Sequence, residues 1–209
     1  MVSDLPPESW PVVSSTEQVH GPLVTVRNDL VRMPDGDVVP RQVVQHPGAV
    51  AVVALDQAGQ VLLIRQYRHP AGWLLWEIPA GLRDVAGEPP RVTAERELRE
   101  EAGCTASRWH LLADYFTSPG ITNERLLVYL ARDVTELAAA ERDYQPEHEE
   151  AHLITAWVPL EQVVDGFLSG EMHNGVTAVG ILAAYAAQQG GFAALREAEQ
   201  SEPGGVHEA

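Results

Sequence analysis

Between Gly81 and Cys104 the chain reads Gly-Leu-Arg-Asp-Val-Ala-Gly-Glu-Pro-Pro-Arg-Val-Thr-Ala-Glu-Arg-Glu-Leu-Arg-Glu-Glu-Ala-Gly-Cys. No other segment constrains the fold as much. Pro89-Pro90 suits a first helical turn and Gly103 a helix end. At about 100° per residue, Glu97, Glu100 and Glu101 fall at about 0°, −60° and +40°, one sector roughly 100° wide. Leu98 and Ala102 lie on the adjoining flank and can face a core. Like charges four residues apart cost a helix a few tenths of a kcal/mol, so Glu97 with Glu101 needs compensation. A divalent cation would supply it. An oxygen-only donor set suits Mg²⁺ or Mn²⁺, which usually also hold waters and substrate phosphates.

Taken alone, Arg-Glu-Leu-Arg-Glu-Glu reads as a solvated helix face. Its surroundings change that reading. A glycine, a spaced glutamate and then Arg96-Glu97-Leu98-x-Glu100-Glu101-x-Gly103-Cys104 resemble the signature of the Nudix hydrolases. From Glu88 onward the spacing matches that family; between Gly81 and Glu88 there are six residues where it usually has five. The extra residue falls in a loop, where insertions are tolerated, so a local bulge is expected and no shift of the carboxylates. The resemblance implies an α+β fold: a Nudix-type α/β/α sandwich with a mixed sheet and an N-terminal antiparallel β-meander. It implies Glu97 and Glu101 as metal ligands, Glu100 assisting, and the Ala80 carbonyl as a main-chain ligand for Mg²⁺ or Mn²⁺. Arg96 can orient these carboxylates through charge-assisted hydrogen bonds, or form a surface ion pair with Glu100.

The pattern along the chain supplies strands for such a sheet. Residues 1–18 are rich in Pro, Ser and Glu and read as an extended arm. Alternation from 22 to 45, broken at Pro34-Asp35-Gly36-Asp37, predicts a hairpin or meander. Strands are expected at 49–55, 61–67, 76–78, 109–117, 126–131 and 153–158, and amphipathic helices at 160–168 and 176–188. Acid-rich 142–152 reads as a loop and 197–209 as a frayed tail. Three regions follow: 1–45 an arm and meander that dimerises, 46–195 the catalytic domain, and 196–209 a tail.

Composition excludes several partners. The net charge of −16 over 209 residues argues against nucleic acid, whose affinity comes from Lys/Arg clusters. It leaves room for a small anion held through a metal. One cysteine, Cys104, forbids an internal disulfide framework and reads as a packing residue, its thiolate disfavoured by neighbouring carboxylates. No signal peptide and no bilayer-length apolar run is evident, so the expected location is the cytoplasm, without membrane contact.

Outside the glutamate helix the sequence is similar to one branch of the family, the bacterial ADP-ribose pyrophosphatases, over roughly residues 38 to 190. That branch carries its general base eight residues before the tryptophan-like position of a Trp-Val-Pro-Leu segment; here Trp157-Val-Pro-Leu160 points back to Glu149. Glu150 and Glu147 are the neighbours that could share or take the role, with His148 read as a surface residue. Pro119, sixteen residues after Gly103, matches a proline of the same branch. The resemblance further implies Arg68 on a phosphate, Glu77 on a ribose or behind the substrate contacts, and Arg41 on adenine across a subunit interface. Each of the last three could equally be an ion pair at a sheet edge. The implied substrate is a nucleoside diphosphate sugar: ADP-ribose, or alternatively GDP-mannose or a flavin dinucleotide. A non-catalytic ADP-ribose sensor is the rival from another class. The implied assembly is a homodimer with exchanged N-terminal strands.

Overall fold

Weakly alternating N-terminal residues form a sheet of their own. The computed structural model describes residues 2–4, 10–141 and 153–198, and the chain divides into two units, 1–47 with 116–124, and 48–115 with 125–209. In the first, β1 (Val12–His20), β2 (Thr25–Arg32) and β3 (Val38–Gln45) run antiparallel in that order. Its main buried polar group is Asp29, which accepts from Ser15 Oγ at 2.6 Å and Arg27 Nε at 3.1 Å. A distant segment closes on β3: Val44 N–H donates to the Ile121 carbonyl, and the Asn123 side chain accepts the His46 N–H at 2.8 Å.

The second unit is built around β4 (Ala49–Leu55), apolar and buried at every position. A strand buried on both faces needs an apolar side chain on each. Val50, Val52 and Ala54 face one core, together with Ala94, Leu98 and Ala102. Ala49, Ala51, Val53 and Leu55 face the other, together with Leu160, Val163, Ile181 and Ala184. The remaining elements are β5 (Gln60–Arg68), β6 (Trp73–Glu77), β7 (Ala80–Leu82), α1 (Pro90–Ala102), β8 (Cys104–Phe116), β9 (Arg125–Glu136), β10 (Ile154–Pro159), α2 (Leu160–Leu168), α3 (Gly175–Gln189) and β11 (Arg196–Glu197). The sheet order is β10-β5-β4-β9-β8-β11, with β6 on β5 and β7 on β4. β4 and β9 are parallel, whereas β4–β7, β5–β6 and β5–β10 are antiparallel. With α1 on one face and α2 and α3 on the other, this is a mixed-sheet α/β/α sandwich. Among the described residues no helix is long and apolar enough to cross a membrane.

Three local expectations change. Residues 12–18 of the expected arm belong to strand β1, all of it exposed. Its pairing comes from backbone hydrogen bonds to β2 and buries no apolar stripe, so no hydrophobic pattern announces it. The Gly81 loop is in part a short strand, because Ala80–Leu82 pairs with Ala49–Ala51. Arg196–Glu197, at the start of the expected tail, pairs with β8. The expected loop at 142–152 lies outside the described residues.

Candidate active site

The glutamate helix is oriented by its apolar stripe. Ala94, Leu98 and Ala102, spaced four apart, are buried against the sheet, and Glu97 and Glu101, one residue earlier in each turn, swing to the flank. Pro89 is extended and Pro90 begins the helix; Gly103, at φ 60°, ends it with its N–H on the Arg99 and Leu98 carbonyls. That left-handed conformation suits glycine because it lacks the Cβ that would clash.

Strand β7 brings the chain against that flank. The Ala80 N–H donates to Glu101 Oε2 at 2.9 Å. Gly81 is needed for a different reason from Gly103. A Cβ at position 81 would lie 2.0 Å from Glu97 Cδ and 2.2 Å from Oε1. The glycine therefore makes space for a glutamate sixteen residues later in the chain.

Arg96 is shared among three carboxylates. Its Nη1 donates to Glu97 Oε1 at 2.7 Å and to Glu100 Oε2 at 3.3 Å, and its Nη2 to Glu88 Oε2 at 3.3 Å. Burial alone would push its pKa down, but Glu97, Glu88 and Glu100 together push it up. Glu88 also accepts from Thr93 Oγ1 at 2.8 Å. That hydrogen bond, reinforced by Arg96 against the effect of burial, holds the Glu88 carboxyl below its ordinary range.

Arg68 at the end of β5 meets Glu77 at the end of β6 in a fork. Its Nε donates to both Glu77 oxygens at 3.0 Å and its Nη2 to Oε2 at 2.6 Å. The Glu77 side chain is 3 % exposed and the Arg68 side chain 43 %.

These parts border one cleft of about 280 Å³, lined by Gln66, Arg68, Ala80, Gly81, Leu82, Asp84, Arg96, Glu97, Glu100 and Glu101. Four carboxylates face two guanidiniums there. Among the described residues, no three His, Cys, Asp or Glu side chains converge into a cage for an ion. The donor chemistry nonetheless fits a hard cation such as Mg²⁺, which is commonly held by one or two carboxylates, with waters and substrate phosphates completing its shell.

The structure thus brings Ala80, Arg96, Glu97, Glu100, Glu101 and Arg68 to one cleft, with Glu77 directly behind Arg68. Arg41 and Pro119 belong to the other unit, where Arg41 Nη1 donates to the Pro40 carbonyl at 2.9 Å. Glu149, Glu150, Glu147 and His148 lie outside the described residues. Sequence reasoning missed three lining or supporting residues. Gln66 could have been found, because it is two residues from Arg68 on one strand and so shares its face. Glu88 was visible only as a motif position, and its grip on Arg96 required the loop's path. Asp84 sits in the lengthened loop and carried no signal.

Comparison with known proteins agrees with this geometry. Residues 45–176 match the NUDIX domain family, and the chain belongs to it and is a hydrolase. It is 46 % identical over 177 residues to an ADP-ribose pyrophosphatase of Mycobacterium tuberculosis, covering 84 % of each chain. It is 34 % identical to an ADP-ribose pyrophosphatase of Bacillus subtilis, covering 79 % of this chain and 87 % of that one. Its fold is also that of a crystal structure titled as an ADP compounds hydrolase, with a TM-score of 0.71 at 20 % identity, covering 90 % of this chain and 98 % of that one. Enzymes of the family generally need a divalent metal ion.

Proposed function

We propose that the protein hydrolyses the diphosphate of ADP-ribose, adding water to release AMP and ribose 5-phosphate, with Mg²⁺ or Mn²⁺ as cofactor. The observation that carries this reading is the meeting of an acidic helix flank and Arg68 in one cleft, which suits an anionic diphosphate bound with a cation. The two bacterial relatives support the choice of ADP-ribose.

In this reading Glu97 and Glu101, assisted by Glu100 and the Ala80 carbonyl, hold the cation, and Arg96 fixes the carboxylate directions. When bound, a divalent cation neutralises phosphate charge and lowers the pKa of a coordinated water. Arg68, which lines the same cleft, binds a phosphate oxygen. Glu149 accepts the proton of the attacking water, with Glu150 the neighbour able to replace it; that assignment rests on the resemblance to the ADP-ribose pyrophosphatase branch. Such a base contributes about 10²–10⁴-fold in rate. Glu97 and Glu101 are poorer candidates because their lone pairs are committed to the cation. Arg41 and Pro119 complete the adenosine side within a homodimer that exchanges N-terminal strands. Support for the dimer is β1, an edge strand with Val12, Val13 and Val19 exposed. We place the enzyme in the cytoplasm, in keeping with a single cysteine.

The deciding experiment incubates purified protein and Mg²⁺ with ADP-ribose, GDP-mannose and a flavin dinucleotide in parallel. The expected result is the highest kcat/KM on ADP-ribose, with AMP and ribose 5-phosphate as products and none formed in chelator. Absence of AMP, or a better rate on another member of the panel, overturns the assignment.

A further inference from the structure

We infer that Glu77 never touches substrate and acts as a positioning residue, locking Arg68 into the one orientation in which its guanidinium serves a diphosphate in the cleft. This rests on the functional reading above and narrows it.

Three observations carry the inference. The Glu77 side chain is 3 % exposed, so a cleft ligand cannot reach its carboxylate. Both of its oxygens are already engaged by Arg68 through three hydrogen bonds of 2.6–3.0 Å. Arg68 is 43 % exposed and lines the same cleft as Ala80, Glu97 and Glu101.

The chemistry favours an unequal partnership. A buried carboxylate is stable when it is paired and hydrogen-bonded, and a planar guanidinium offers the matching fork. Using Nε and one Nη for that fork fixes the guanidinium plane of Arg68 and removes its rotamer freedom before any ligand arrives. Binding then does not have to order a long, flexible side chain, which is where preorganisation gains affinity. The strand register explains how the pair meets. Ile64 pairs with Glu77 and Arg68 with Trp73 across β5 and β6, so the two charged residues lie diagonally across the hairpin, four residues apart on each strand. Only a long side chain such as arginine spans that diagonal.

A double-mutant cycle tests this with Arg68→Lys, Glu77→Gln and the double variant. Lysine keeps the charge and loses the fork; glutamine keeps the shape of glutamate and loses the charge. The readouts are kcat and KM for ADP-ribose, and calorimetric binding of inorganic pyrophosphate with Mg²⁺. Glu77→Gln is expected to raise KM about 3- to 10-fold with kcat changed less than twofold, the size of effect that an unlocked side chain gives. Pyrophosphate affinity should fall by a similar factor. The double variant should match Arg68→Lys within twofold, because nothing remains for Glu77 to position. Multiplying effects, or a fall in kcat alone, would overturn the inference, as would a wild-type protein that fails to bind pyrophosphate. A melting curve on each variant separates lost folding from lost positioning; a cycle that is additive in folded protein counts against the proposal. The pyrophosphate arm is independent of the sugar. Failure on ADP-ribose with the cycle intact therefore rejects the substrate and leaves the role of Glu77 standing.

Discussion

Two arginines border the cleft, and their surroundings are opposite. Arg96 is divided among Glu88, Glu97 and Glu100, so one positive charge answers three negative ones. Arg68 forks onto Glu77, engaging both of its carboxylate oxygens. The first set clusters several carboxylates in one cleft, a donor chemistry that fits a hard cation. The second is a planar fork, so its value lies in geometry. A site for metal and diphosphate needs both kinds: clustered carboxylates and a fixed positive group.

The comparison breaks first at the carboxylates. Glu97→Gln and Glu101→Gln should each lower turnover by more than about 10²-fold, since groups that merely support a metal ligand already cost 10–100-fold. Both should weaken Mn²⁺ binding measured by calorimetry. Glu149→Gln should lose about 10²–10⁴-fold while keeping the Mn²⁺ affinity, as expected of a base that is not a ligand. Unchanged Mn²⁺ affinity in Glu97→Gln and Glu101→Gln would remove the cation from the acidic flank.

Gly81→Ala probes the same flank without changing its charge. The added methyl would overlap Glu97, and a glutamate side chain can move aside, so the fold should survive with a small change in Tm. Displacing a reacting group by about 1 Å costs on the order of 10²-fold. Wild-type kcat in Gly81→Ala would mean that the position of Glu97 does not matter.

Glu88→Gln should act more gently, about 10-fold on kcat, by removing one of the three carboxylates that aim Arg96. Its pH dependence has a definite sign. A carboxylate whose pKa is depressed in the folded state, here below 4.5 by Thr93 and then Arg96, contributes stability above its unfolded pKa. That contribution is lost as pH falls through the folded value. The Tm of wild type should therefore exceed that of Glu88→Gln near neutrality, and the two should converge in acid, once pH has fallen through the depressed folded value. A gap that stays constant into acid would show that the Glu88 charge is not involved.

The two arginines also differ in how far each could be read in advance. Arg96, Glu97 and Glu100 are near neighbours on one helix, so 3.6-residue periodicity placed them together. The Arg68–Glu77 fork depends on the β5–β6 register, and the sequence left Glu77 open between ribose and a supporting role. Strand β1 shows the other limit. Pairing satisfied by backbone atoms leaves no trace in side-chain polarity, so a ladder of nine exposed residues read as an arm.

By itself the sequence determined what is local: the helix from Pro90 to its glycine end, the carboxylates along one flank, and the apolar strand at the centre of the sandwich. Each follows from a fixed repeat, 3.6 residues in a helix or two in a strand, applied to side chains that are near neighbours in the chain. The tertiary structure decided that Gly81 yields space to Glu97, that Glu88 reaches Arg96, and that Glu77 is sealed behind Arg68. Those relations span 8 to 16 residues between separate elements. Only sheet register, loop path and core packing bring such groups within bonding distance.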